Sequence, residues 1–429
     1  MRLPADHPQR VELNDEVHAR PPEPLTPPAR MSYLALLCDA AQRDAGASAV
    51  AELCRRYDVP PPSQTTTHYT ATFPSFRLKW ERHTEFIRCM FIVKGAGSDP
   101  FADTAISAVP EDWIVTLPGR LMVAAHAALF AEDAMVDDPR AIGERWFHGN
   151  MLVGAAVSGG AATALTDFRI HPDGFSRHLV IDRGTTPWQA GRIVQRLLEI
   201  DTYRIMALLA LPVARAATPR LAASEQELGQ VTAALVVADE ADEPGLLHRL
   251  TRLEAEIENR QSETRYRFSA AEAYHDLVLR RIEELREQRI PGLQTFREFT
   301  ERRLAPAMAT CRSIAARQES LSQRVSRATR LLATRVDLTR ERQNQALLES
   351  MDRRARLQLR LQSTVEGLSV AAVTYYIVGL IGHAAEAMRE AGLHVNPDLV
   401  MGLSIPLVAG AAAFGLHRIR RSVMRPQDR

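Results

Sequence analysis

The densest set of residues able to do chemistry is FRLKWERHTEF, residues 76–86. Read as one extended strand, its two-residue period puts Arg77, Lys79, Glu81, His83 and Glu85 on one face and Leu78, Trp80, Arg82, Thr84 and Phe86 on the other. A face so nearly all ionisable is either a solvated sheet surface with alternating-sign cross-strand pairs or a charged pocket. As a pocket, Glu81, His83 and Glu85 suit a cation, and Arg77 and Lys79 suit an anion. Lys79 and His83 are also acid–base types, although no nucleophile, phosphate loop or metal motif accompanies them. Lys79 stands out in one more way, since Lys79 and Lys94 are the only lysines among 53 basic residues.

A second polar set, Arg10, Asn14, Glu16, His18 and Arg20, lies in the N-terminal HPQRVELNDEVHARPP; alone it reads as a solvated arm. Tyr375 and Tyr376 are unusual for a different reason. They sit near the middle of an uncharged run, where their hydroxyls need partners, with Gly379 one turn away to allow close helix approach. Gly95-Ala96-Gly97 is too short for a phosphate cradle, and no GxSxG or HExxH pattern is present. The four cysteines, Cys38, Cys54, Cys89 and Cys311, have neither zinc-site spacing nor disulfide density, which fits a reducing compartment. No cofactor is therefore expected, and whether the acidic residues take a metal stays open.

The elements that must position these residues fall into unlike stretches. Met1 to Arg30 is proline-rich and extended. An amphipathic helix is expected over Met31 to Tyr57, then a hairpin of Thr66–Phe73 with Phe76–Val93, and short strands at Trp113–Leu117 and Met151–Val157. The clearest hairpin joins Thr163–Ile170 to Phe175–Asp182 through His171-Pro172-Asp173-Gly174, a type I turn by its proline and glycine. Thr186-Pro187 opens a strong helix to about Leu211. Residues 1–220 thus predict a cytoplasmic α+β domain with antiparallel sheet and an extended arm. Residues 221–364 carry dense charge between apolar positions spaced three and four apart, such as Leu246, Leu250, Leu253 and Ile257, and predict an antiparallel helical coiled-coil stalk.

Two uncharged runs follow. Gly367–Ala385, GLSVAAVTYYIVGLIGHAA, spans about 28 Å as a helix, close to the hydrocarbon thickness of a bilayer, and Leu399–Leu416 is similar. Arg353, Arg354, Arg356 and Arg360 precede the first run, and Arg418, Arg420, Arg421 and Arg425 follow the second. The intervening loop holds Arg389 against Glu386, Glu390 and Asp398. The positive-inside rule then predicts a transmembrane hairpin over 365–417 and a basic tail over 418–429, with both termini cytoplasmic. The formal charge of +1 gives no global field for nucleic acid, so none is expected as a partner.

Taken together, HPQRVELNDEVHARPPEPL, FRLKWERHTEF, TDFRIHPDGFSRHLVID, PWQAGRIVQRLLEIDTYRIMALLALPVAR and VEGLSVAAVTYYIVGLIG closely resemble the bacterial proteins grouped as domain of unknown function 3422, described as membrane-anchored. The resemblance runs from His7 to about Arg420 and implies a membrane anchor, with no assigned catalytic residue or substrate. The architecture also resembles the CorA-type magnesium transporters. Those carry Gly-Met-Asn at the outward end of the first span, whereas here that stretch is Gly379-Leu380-Ile381-Gly382-His383.

The expectation is a homo-oligomeric inner-membrane protein that binds a ligand or acts as a scaffold, with an enzyme as the third reading. Its expected ligand site is Glu16, His18 and Arg20 with Arg77, Lys79, Glu81, His83 and Glu85, the ligand being unidentified. Oligomers are expected because two spans bury little and the helical seam thins between Val336 and Leu361. The alternative is a CorA-like divalent-cation channel or transporter with Tyr375, Tyr376 and Gly379 on the pore-lining span.

Overall fold

A computed structural model describes residues 4, 6–11, 13–14, 21–95, 99–132, 138–391 and 396–423. The chain is α+β. In order it forms β1 (Ala29–Leu37), α1 (Ala40–Arg56), β2 (His68–Thr72), β3 (Arg77–Arg82), β4 (Phe86–Lys94), α2 (Glu111–Ile114), β5 (Arg120–Ala131), α3 (Pro139–Trp146), β6 (Val153–Val157), β7 (Ala162–Thr166), β8 (Ser176–Asp182) and α4 (Pro187–Leu208). Then come α5 (Ala210–Val237), α6 (Glu243–Leu285), β9 (Gln288–Arg289), α7 (Phe296–Arg303), α8 (Ala305–Glu390) and α9 (Pro397–Val423). Two compact units result: residues 1–237 with 248–329, and residues 238–247 with 330–429. The boundary expected at residue 220 falls inside α5, because that helix packs on the first unit along its length.

In the first unit the described strands make one nine-stranded sheet in the order β2-β3-β4-β1-β5-β8-β7-β6-β9. The β5–β8 pair is parallel and every other neighbouring pair is antiparallel, so the sheet is mixed. One face of β1, β3 and β4 supplies Leu34, Leu78, Trp80, Cys89 and Phe91 to an apolar core closed by Leu53 of α1 and Trp113 of α2. The other face is covered by α4. Each covering helix starts where its capping chemistry says: Asp39 caps α1 reciprocally with Gln42, and Thr186 caps α4 with Gln189 ahead of Pro187.

The second hairpin forms as expected, with His171 N–H donating to the Phe175 carbonyl at 2.9 Å. Three local expectations are corrected. Met31–Tyr57 begins as strand β1 before α1; buried on both faces between β4 and β5, β1 lacks the alternation that marks a half-exposed strand. Residues 76–93 form two strands, because the chain reverses at His83–Glu85. Trp113 lies in α2, where its indole N–H donates to the Ala49 carbonyl at 2.7 Å. Pro306 falls in the first turn of α8, where proline needs no partner for its missing N–H.

Within the first unit, α5, α6 and α8 are linked by side-chain bonds. Arg260 donates to Ser224 at 3.1 Å, Arg317 to Glu225 at 2.7 Å and Gln261 to Glu319 at 2.6 Å. In the second unit, Met401 of α9 packs against Gly382 of α8, and Arg335 pairs with Glu243. Two helices are long and apolar enough to cross a membrane, α8 and residues Pro397–Gly415 of α9, each with an 18-residue window of mean hydropathy 1.6.

Candidate functional site

The strand register sets the site. Thr70 of β2 lies opposite Lys79 of β3, which lies opposite Met90 of β4, and Met90 faces Tyr33 of β1. One pair along, His68, Glu81, Arg88 and Ala35 are aligned, and the other way Thr72, Arg77, Ile92 and Met31. Alternation therefore brings Arg77, Lys79, Glu81 and Arg88 to the same face, the one under α4. This face is not solvated: Lys79 and Arg88 are each 6% exposed and Glu81 is fully buried.

Charges removed from water persist only if paired and hydrogen-bonded. Here the pairing is extensive. Arg88 donates from Nε to Glu81 and from both terminal nitrogens to Oε1 of Glu199 on α4 at 3.2 Å. Lys79 Nζ lies 3.1 Å from the second Glu81 oxygen, and Gln195 donates to Glu199 at 2.9 Å. Arg281 of α6 closes the other side of Glu199 and also donates to Glu284 at 3.0 Å, which accepts from Arg196 of α4 at 3.0 Å. Sheet, α4 and α6 are thus joined through one chain of alternating charges.

The electrostatics follow from that chain. Burial would raise the Glu81 carboxyl, but Arg88, and behind it Lys79, hold it far below the usual carboxylate range. Glu199 is likewise lowered against burial by Arg88 and Arg281. Burial would lower Arg88, and Glu81 and Glu199 keep it well above its ordinary value. Burial also pushes the Tyr33 phenol up, beyond any physiological pH; its hydroxyl bonds to Thr202 at 2.8 Å. Carboxylates so acidic and a guanidinium so basic are poor proton shuttles near neutral pH. A cavity of about 10 Å³, lined by Tyr33, Lys79, Glu81, Arg88, Gln195 and Leu198, has room for a single water.

Of the sequence-nominated residues, Arg77, Lys79 and Glu81 share this face. His83 sits in the turn beside them, its Nε2 3.6 Å from Glu81 and its ring stacked on Phe86 at 4.4 Å. Glu85 points elsewhere and pairs with Arg267 of α6. Glu16, His18 and Arg20 lie outside the described residues. Just downstream, however, the arm does reach the charged strand: Lys79 donates to the Pro21 carbonyl, and Arg77 to the Pro24 carbonyl at 3.0 Å. Tyr375 and Tyr376 are exposed on α8 with ring centroids 5.9 Å apart, and a Cβ on Gly379 would meet nothing within 4 Å.

The sequence nominations miss Arg88, Glu199, Gln195 and Arg281. A signal existed for two of them. Arg88 is the sole charge inside FIRCMFIV, and Glu199 stands between the apolar Leu197-Leu198 and Ile200.

Two other buried polar groupings resemble catalytic sets without their geometry. Ser32 bonds to His126 Nδ1 at 2.9 Å and accepts the Ile106 N–H at 2.9 Å, but Ser32 is fully buried. Ser176 donates directly to Asp201 at 2.7 Å, with His178 3.4 Å from the same oxygen, so the carboxylate and not the imidazole takes the serine proton's hydrogen bond. Among the described residues no three His, Cys, Asp or Glu side chains gather as a metal-ligand set.

Over residues 5–423 the chain matches the model of a family described as protein of unknown function, DUF3422. No curated protein matches the sequence.

Proposed function

We propose that this chain, which belongs to the DUF3422 family, is a homo-oligomeric scaffold anchored in the bacterial inner membrane, with its α+β unit on the cytoplasmic side. One observation carries the reading: the most apolar windows of α8 and α9 are only 17% and 6% buried. A core helix of a soluble protein hides such a window, whereas Leu368, Leu380, Leu399, Leu403, Leu407 and Phe414 all remain exposed. Lipid supplies the missing cover for helices of this length. The arginines on the outer flanks and the acidic loop support a transmembrane hairpin with both termini inside. Ahead of the first span, the exposed pair Leu347 and Met351 recurs fourteen residues on, two heptads later, as Leu361 and Val365, which supports a coiled-coil contact with further copies. In this reading the buried charge chain holds the sheet on its helices.

Alkaline carbonate extraction followed by light scattering in detergent tests both parts. The protein is expected to stay with the membrane and to elute as an oligomer. Release by carbonate would end the anchor, and a monomer would end the assembly.

A second reading, a CorA-like divalent-cation channel, draws on a groove of about 600 Å³ between α8 and α9 lined by Tyr375, Gly379, Gly382, His383, Glu386 and Asp398. It requires divalent-ion flux in proteoliposomes that is lost when Tyr375, Tyr376 or Gly379 is changed. Intact oligomers without flux would reject it.

A further inference from the structure

Residues 21–25 lie as a strap across the charged face, and the strap meets the cations there with acceptors. Pro21, Pro22 and Pro24 have no N–H, so over this stretch the backbone offers mainly carbonyls. The Pro21 carbonyl accepts from Lys79, and the Pro24 carbonyl accepts from Arg77 at 3.0 Å. The Glu23 carboxylate, 8% exposed, accepts from the Thr70 hydroxyl at 2.8 Å and lies 3.4 Å from Arg77 Nε. Downstream, Leu25 N–H donates to the Pro187 carbonyl at 2.9 Å and the Leu25 side chain is buried.

The charge balance explains why a carboxylate belongs there. Arg88 is matched by Glu81 and Glu199, and Lys79 leans on Glu81. Arg77 has its ion partner in the strap, at Glu23. A hydroxyl and a guanidinium meet the carboxylate, while the Lys79 ammonium donates to the Pro21 carbonyl of the same strap; together these are donors of the kind that recognise an oxyanion.

The seat of the strap is also built for it. Gly191 on α4 lies directly beneath, and a Cβ there would fall on the Glu23 carbonyl oxygen. Glycine inside a helix is less stable than alanine, so the helix gives up stability where the strap needs room.

We propose that Thr70, Arg77 and Lys79 form an oxyanion-binding site that the chain's own strap occupies, with Glu23 in the place of a ligand carboxylate. A soluble carboxylate or phosphate ligand competes with the strap for these donors and lifts it. The site stands apart from the membrane reading, since it needs neither a bilayer nor an oligomer.

The test uses the full chain in detergent, with succinate and inorganic phosphate as probes in calorimetric titration. Glu23→Gln removes the internal carboxylate, and Gly191→Ala displaces the strap while leaving Thr70, Arg77 and Lys79 in place. Both variants are expected to bind one of the probes at least tenfold more tightly than the parent, and adding Arg77→Gln to either is expected to abolish the gain. Amide hydrogen exchange should rise at Leu25, whose N–H is bonded to the Pro187 carbonyl, in Gly191→Ala. The preferred probe tells a carboxylate source from a phosphate source. The proposal is overturned if neither variant gains affinity for either probe, or if the gain survives Arg77→Gln.

Discussion

The Arg88 guanidinium reaches Glu199, 111 residues further along the chain, at 3.2 Å while its Nε holds Glu81 on the neighbouring strand. One cation thereby serves two buried carboxylates that come from different layers of the fold, and each side of that bridge depends on the other. In a low-dielectric interior such a bridge adds less net stability than its Coulomb energy suggests, because all three groups lost their water. Breaking it is another matter.

Replacing Arg88 by methionine keeps much of the volume and leaves Glu81 without its main counter-charge. Removing one partner of a buried ion pair costs about 3–5 kcal/mol. Chemical denaturation of Arg88→Met in detergent should show a loss of that size. Adding Glu81→Gln should recover part of it, since a neutral amide is cheaper to bury than an unpaired carboxylate. Additive losses in the double variant would show that the two groups are not coupled.

The protein should lose stability on mild acidification before its buried carboxylates titrate. Burial, offset in part by Asp173, lowers His126 from 6.5 to about 4. Between those values the unfolded chain takes up a proton that the folded chain refuses, so the neutral imidazole's contribution is complete above 6.5 and falls away towards 4. The slope is about 1.4 kcal/mol per pH unit for one proton. Glu81 and Glu199 are depressed from 4.5, so their contribution is complete above that value and is lost only at still lower pH. Stability measured at several pH values for the parent and for His126→Asn should give a difference that grows by about 3 kcal/mol across the histidine window. Parallel curves for the two proteins would place the proton elsewhere.

Two glycines on the first apolar helix, Gly379 and Gly382, should respond differently to the same substitution. A Cβ on Gly382 would strike the Met401 sulfur of α9, whereas one on Gly379 meets nothing within 4 Å. Gly382→Val should force α8 and α9 apart and lower the melting temperature of the detergent-solubilised protein, by about 1–3 kcal/mol in stability terms. Gly379→Val should change it little. Should another copy cover Gly379, as the oligomer reading allows, Gly379→Val would instead shift the assembly state on light scattering.

Much of this was legible where the signal is local. The His171-Pro172-Asp173-Gly174 turn, the Thr186-Pro187 helix start and the two uncharged runs are written in neighbouring residues, and the structure has all of them. Alternation likewise put Arg77, Lys79 and Glu81 on one face, although His83 and Glu85 left it because the chain turns there without a glycine or proline to announce the turn. β1 was hidden for the opposite reason: a central strand buried on both sides has no polar alternation to read. The partners of the charged face were out of reach, since Glu199 and Arg281 arrive only once the sheet order and the helix packing are known. The strap showed in the sequence as extended and proline-rich, but its target depended on the same long-range assembly.

The membrane topology makes a direct prediction about thiol access. All four native cysteines are buried, and burial pushes the Cys89 thiol up to about 12, so an impermeant maleimide should find little background in the parent protein. Glu390, at the end of α8, belongs to the acidic loop between the apolar runs, and Arg360 to the arginine-rich flank before the first run. With arginine retained on the cytoplasmic side, Glu390→Cys should label in intact spheroplasts, and Arg360→Cys only after permeabilisation. The reverse pattern would invert the orientation and place the α+β unit outside. Labelling of both positions in intact spheroplasts would mean that the arginine flank also faces outward, and the hairpin reading would fail with it.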